Sequence, residues 1–214
     1  GPPQIAVQAT DETAADITED VSVSSKEELA ELGGKTVAAN ITLTGNIDMT
    51  GVDMEPIKSL TGCFDGGGYT ISNLTLKGGT GSSNWQGTNY VNTGLIGELN
   101  GSIINVKMTG VSITENIGNW NNIGALVGKI ADNSNSRIDN CVVSGAIGSS
   151  SSSSNTFIGG LVGYVTGTSA LVINNCLSNV TLTCGNSGYA GGLLGAATYF
   201  VGTISVKNAA VLGN

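Results

Sequence analysis

Between residues 94 and 195 of this 214-residue chain a short glycine-leucine block recurs four times, and it constrains the fold more than anything else. The copies are Gly94-Leu95-Ile96-Gly97, Ala125-Leu126-Val127-Gly128, Gly160-Leu161-Val162-Gly163 and Gly192-Leu193-Leu194-Gly195, with closing glycines 31, 35 and 32 residues apart. A second landmark follows each block: Ile103-Ile104-Asn105-Val106, Ile138-Asp139-Asn140-Cys141, Ile173-Asn174-Asn175-Cys176 and Val206-Lys207-Asn208-Ala209. Its asparagines are spaced 35, 35 and 33 residues apart. Two landmarks in one order and at one spacing imply stacked structural repeats.

Helical repeats of that period are excluded. Each copy carries internal glycines, and each costs ~1 kcal/mol in a helix relative to alanine. The segments between them (102–108, 111–114, 169–173 and 180–183) are short and rich in Val, Ile, Leu and Thr, which are strand signals. The 33 glycines come with only 3 prolines and no G-X-Y period, so collagen is excluded too. A parallel β-solenoid of five or six coils over residues 37–214 fits, ~25–30 Å long at ~4.8 Å per coil. Leu95, Leu126, Leu161 and Leu193 would form one apolar ladder, and Ile103, Ile138, Ile173 and Val206 another. Asn105, Asn140, Asn175 and Asn208 would form an amide ladder at a left-handed corner, each side chain bonding the next. The repeated glycines read as corners.

Charge is uneven. Of the 16 acids, eight lie in residues 1–35 beside two lysines, so the net −8 belongs mostly to that segment. Residues 1–23 read as an acidic leader or linker. A first residue of Gly in place of Met is expected to mark a processed or engineered terminus, with any signal peptide already removed. Residues 24–34 read as a short helix capped by Ser24 or Ser25, with Leu29 and Leu32 buried and Gly33-Gly34 stopping it. It is expected to cover the N-terminal end of the β-helix domain, residues 24–214, because open solenoid ends expose strand edges.

The stretch after this helix, with Gly45–Met49 leading to Glu55-Pro56-Ile57 and then Phe64-Asp65-Gly66-Gly67-Gly68-Tyr69-Thr70-Ile71-Ser72-Asn73-Leu74, resembles the GLUG-motif family when read with the repeats at about 94–214. The resemblance covers roughly residues 25–214. It implies an all-β, single-stranded right-handed parallel β-helix and an extracellular bacterial protein of the Bacteroidetes type. It implies a secreted or outer-membrane-surface, adhesin-like role in a Gram-negative cell, with a lipid anchor in some members, and no known reaction. The chain departs from the family pattern at Glu55, where a tryptophan is usual, and at Lys58, where a glycine is usual.

Histidine is absent, which removes Ser-His-Asp and Cys-His dyads and His-ligated zinc. Gly33-Gly34-Lys35-Thr36 lacks the upstream glycine of a phosphate loop, since Leu29 stands there. Asp65-Gly66-Gly67-Gly68 offers one acid where a hard cation wants several oxygens, so no metal and no cofactor are expected. Asp48, Asp53 and Glu55 could form a carboxylate pair, but the only arginine, Arg137, lies in another coil, and acids at a turn are the plainer reading. Cys63, Cys141, Cys176 and Cys184 show no metal spacing, and Cys141 and Cys176 share one repeat position, as buried free thiols would. The run of six serines at residues 149–154 reads as a flexible loop.

Trp85, Tyr90 and Trp120 are the candidate ligand-binding residues. Trp85 and Trp120 lie 35 residues apart in amide-rich loops, and a ring flanked by amides suits a sugar, whose pyranose face stacks while its hydroxyls bond the amides. The competing reading folds these rings back over the wall, as expected of Phe157 and Tyr189. The leading function is a non-enzymatic surface module, expected to be a monomer, presenting one face to a glycan or a host or matrix protein. A structural spacer and a polysaccharide lyase or glycosidase stand as alternatives. Nucleic acid is excluded by sparse charge of the wrong sign, and no apolar run approaches the ~20 residues that span a bilayer.

Overall fold

The computed structural model describes residues 14–77, 80–85, 88–114, 120–185 and 187–212; the side chains of 77, 80–85, 88 and 89 lie outside that description. Its strands stack into three walls, which the chain visits in a fixed order. The glycine wall holds Thr36–Val37, Ile57–Leu60, Ile96–Leu99, Val127–Ile130, Val162–Gly167 and Leu194–Phe200. The long wall runs from Val21–Val23 through Ile41–Leu43, Cys63–Asp65, Ser102–Ile104, Asn135–Gly148 and Ala170–Thr183 to Thr203–Val211. The aromatic wall holds Thr80–Trp85, Thr88–Thr93, Trp120–Gly124, Thr156–Gly159 and Tyr189–Gly191. Every pairing along the stack is parallel except that of Thr80–Trp85 with Thr88–Thr93, so the chain is a parallel β-helix.

The register gives the coil lengths. Ile41 stacks under Phe64, Phe64 under Ile103, Ile103 under Ile138, Ile138 under Ile173 and Ile173 under Val206. The stack thus has six coils, in line with the five or six expected: about four full turns that carry all three walls, preceded by two shorter coils without a parallel strand in the aromatic wall. In the first short coil the helix Lys26–Glu31 falls between the long wall and the glycine wall, in the position the aromatic wall takes in later turns. It forms there because Ser25 caps it, accepting from the Glu28 backbone N–H, while the Glu28 carboxylate accepts from the Ser24 N–H. Leu29 and Leu32 are buried from it. The boundary expected after residue 23 falls earlier, because Val21–Val23 already pairs with Ile41–Leu43 and Ile17 bridges Val37. Their apolar side chains join the core, which the acids between them do not prevent.

A single apolar core runs the length of the stack. Leu95, Leu126 and Leu161 are fully buried, as are Ile103, Ile138 and Ile173, whereas Val206 on the last coil is 47% exposed. The asparagine column bends the long wall: Asn105, Asn140, Asn175 and Asn208 all have φ between 51° and 56°, where asparagine is one of the few residues at ease. Its hydrogen bonds form two shorter runs. Asn140 donates to Asn105 and Asn105 to Asp65, while Asn208 donates to Asn174 and Asn174 to Asp139. Cys141 and Cys176 are in register, buried and unbridged, and Cys63 and Cys184 are also free.

The glycines serve two different purposes. Gly124, Gly159 and Gly191 end their aromatic-wall strands and Gly94 directly follows its own, at the corner into the glycine wall. The closing glycines lie within glycine-wall strands at ordinary φ, and their task is close approach. A Cβ on Gly163 would sit 2.4 Å from the Ile123 backbone nitrogen, and one on Gly128 would sit 2.6 Å from that of Thr93. The aromatic wall thus lies directly on the backbone of the glycine wall. Within the serine run, Ser149, Ser151 and Ser153 each accept a bond from the N–H two residues on. Such local bonds give a polar segment a defined backbone without a core.

Candidate functional site

The aromatic and glycine walls meet along a cleft of about 790 Å³. From the aromatic wall it receives Tyr90, Asn92, Trp120 and Asn122; from the glycine wall and its turns, Lys58, Ser59, Glu98, Lys129, Asp132, Tyr164, Thr166 and Tyr199. The period-2 alternation of the strand Trp120–Gly124 sends Trp120 and Asn122 to the same side. The parallel register then places Tyr90 beside Trp120 and Asn92 beside Asn122.

Rings form a continuous cluster. The centroid of Trp120 lies 5.4 Å from that of Tyr90, 5.5 Å from Phe157 and 5.6 Å from Tyr164, the last edge-on at 82°. Phe157 stacks on Tyr164 at 5.0 Å and on Tyr189 at 5.6 Å. These distances are in the favourable range for aromatic pairs. Phe157 and Tyr164 are buried, Tyr90 and Trp120 partly so, and Tyr189 stays 57% exposed although it lies against Phe157. The Trp120 indole N–H donates to the Asn122 side-chain oxygen at 2.9 Å, and the Asn122 amide donates to the Asn92 oxygen at 2.9 Å. This chain fixes the indole's orientation. Lys129 pairs with Asp132 at 3.5 Å.

Of the residues singled out in the sequence, Tyr90 and Trp120 come together. Trp85 is not the column partner of Trp120, contrary to the 35-residue spacing. Thr80–Trp85 runs antiparallel, Trp85 faces Thr88 in a hairpin, and its side chain lies outside the described residues. Tyr164 and Tyr199 were missed. Tyr164 directly follows a closing glycine, in the column of Glu98, Lys129 and Ala196, so aligning the blocks one residue further would have found it.

The other candidates do different work. Asp48 accepts from the Asn73 amide and from the Thr50 hydroxyl and N–H, and these bonds, the Asn73 bond foremost, hold its carboxyl down at about 2. It is ionised at neutral pH and cannot act there as a general acid. A hydrogen bond with the Cys176 sulfur, and burial, push the Cys141 thiol far above its usual value, leaving it without the thiolate a nucleophile needs. Among the described residues no three His, Cys, Asp or Glu side chains gather as metal ligands would. Nor, among the described residues, is any helix long and apolar enough to cross a membrane.

No family model matches the chain, and no curated protein does. Among solved structures, it matches the 1.30 Å crystal structure of a "putative immunoglobulin A1 protease" from Bacteroides ovatus, at 14% identity and a TM-score of 0.46, over 90% of this chain and 76% of that one. At that score no activity is carried across.

Proposed function

We propose that the chain is a non-catalytic, glycan-binding module of a secreted or surface-displayed bacterial protein, with the aromatic cleft as its binding face. The observation that carries this reading is the combination of partly exposed Tyr90 and Trp120 with Asn92 and Asn122 in one cleft. The rings supply apolar faces for pyranoses, the buried amides of Asn92 and Asn122 hold the indole in place, and the more accessible Lys58, Glu98 and Lys129 supply hydroxyl partners. The glycine-leucine and asparagine-cysteine repeats support placing the chain in the GLUG-motif family, and with it the adhesin-like role and the extracellular location. A host or matrix protein is the other partner of this class.

A second reading rests on Glu98 and Asp132, two carboxylates lining the same cleft, since glycoside hydrolysis uses a pair. Against it, Asp132 is held by Lys129.

A glycan array tests the proposal, using wild type, Trp120→Ala and Tyr90→Ala, with melting curves to confirm that each variant folds. Retention of wild type and loss in folded variants is the expected result. Failure of wild type to bind any glycan would sink the glycan reading and leave a spacer, and sugar release blocked by Glu98→Gln would establish the enzyme.

A further inference from the structure

The cleft follows the solenoid axis. Five consecutive strands of the glycine wall or the turns after them contribute to it: Lys58 and Ser59 from the first, then Glu98, Lys129, Tyr164 and finally Tyr199 from the last. Four strand-to-strand steps at ~4.8 Å give it a length of about 19 Å. Each step is close to the length that one pyranose adds to an extended chain, so the four steps together match about four sugars.

The far end carries an unusual residue. Tyr199 has φ 48° and is 87% exposed, and a bulky side chain rarely adopts that backbone. The cause is a bulge in the last strand. Val165 pairs with Ala197 and Gly167 with Phe200, so Thr198 and Tyr199 together oppose Thr166 alone. Tyr164 bonds Thr198 through its hydroxyl, which pins one bulge residue to the ring cluster while the other turns outward. Bulges are a device for re-aiming a side chain next to a binding site. Strained backbone of this kind is a pointer to function.

We propose that the cleft takes an extended, unbranched saccharide of about four units lying parallel to the solenoid axis, bound along its interior, with Tyr199 stacking on the unit at the C-terminal end. This rests on the glycan-binding reading and goes beyond it in fixing the ligand's shape, direction and length. A cleft for a chain end or a branched epitope would need a wall closing it at one end, whereas here the contributing residues continue from strand to strand.

The test is calorimetric titration of the whole chain with oligosaccharides of one to six units of β-1,4-linked glucose, β-1,4-linked N-acetylglucosamine and α-1,4-linked galacturonic acid. For at least one series, affinity is expected to rise more than tenfold from one unit to four and to level off by five. Tyr199→Gly removes the ring and keeps the bulge, because glycine tolerates that φ. It is expected to weaken the tetrasaccharide about tenfold, the size of effect typical of an aromatic contact residue, and to leave the disaccharide unchanged. Equal affinity for one unit and four would overturn the extended-chain proposal while leaving glycan binding intact. So would an equal effect of Tyr199→Gly at every length, or retention of terminal epitopes on the array with none of the three series bound. Absence of all glycan binding removes both readings together.

Discussion

The two short coils at the N-terminal end and the four full turns beyond them share the glycine wall and the long wall, yet only the full turns carry the glycine block. The register shows why. Ile57 pairs with Ile96 and Ser59 with Glu98, so Lys58 occupies the column of Gly97, Gly128, Gly163 and Gly195. Where an aromatic-wall strand presses on that column, only hydrogen fits; the short coils have no parallel strand there, and lysine is accommodated. The glycine repeat is therefore the signature of the third wall rather than of the solenoid as such.

Substitution in that column gives the largest expected effect. Gly163→Ala forces backbone apart at Ile123 and Gly128, whose atoms lie 2.4 and 2.6 Å from the new carbon. It is expected to cost about 3 kcal/mol or more in urea unfolding, whereas exposed Lys58→Ala should stay within about 0.5 kcal/mol. Equal costs at the two positions would break the comparison.

The apolar ladder separates interior turns from the last coil. Leu161 is fully buried and Leu193, at the same repeat position, is only partly so. Leu161→Ala is expected to cost about 2–5 kcal/mol, with Leu193→Ala roughly half as damaging because less contact is lost. Equal losses would mean that the last coil is as tightly packed as the interior.

Much of this was legible in the sequence. Stacking was, since Leu and Ile columns and the asparagine corner recur with a period longer than any local structure. The first coils were not, because their lengths differ from the repeat and they lack its glycines; Val21–Val23 therefore read as leader. Tyr90 and Trp120 were legible as polar-flanked aromatics. Their pairing was not, because the antiparallel hairpin breaks the 35-residue arithmetic that had matched Trp85 with Trp120. Tyr199 was hidden for a similar reason: a bulge adds a residue, and no periodic pattern announces it.

Where the third wall begins, Thr93 is a polar intruder. It is fully buried, its hydroxyl has no hydrogen-bond partner among the described residues, and the column above it continues as Ile123, Ile158 and Ala190. Thr93→Val keeps the shape and removes the unsatisfied group, so a gain of about 1 kcal/mol is expected from thermal or urea unfolding. A loss of that size would show that the hydroxyl is partnered and that the first full turn depends on it.

The smallest effect distinguishes the two regions by acid. The second short coil is joined to the first full turn through Asp48, Thr50 and Asn73, whereas full turns are joined to one another in part by the amide pair Asn140–Asn105, which does not titrate. The Asp48 carboxyl falls from 3.8 in the unfolded chain to about 2 in the folded one. A depressed carboxyl stabilises the fold above its unfolded value and loses that contribution as pH falls through its folded value. The window is therefore between about pH 4 and pH 2. The group is solvent-exposed, so screening keeps the effect local. Amide exchange followed by NMR should show the Thr50 N–H, which donates to Asp48, losing protection across that window while the Asn140–Asn105 corner keeps its own. Asp48→Asn should flatten the response at Thr50. Loss of protection at both corners together would mean that acid acts on the whole stack and that the short coils are no more sensitive than the full turns.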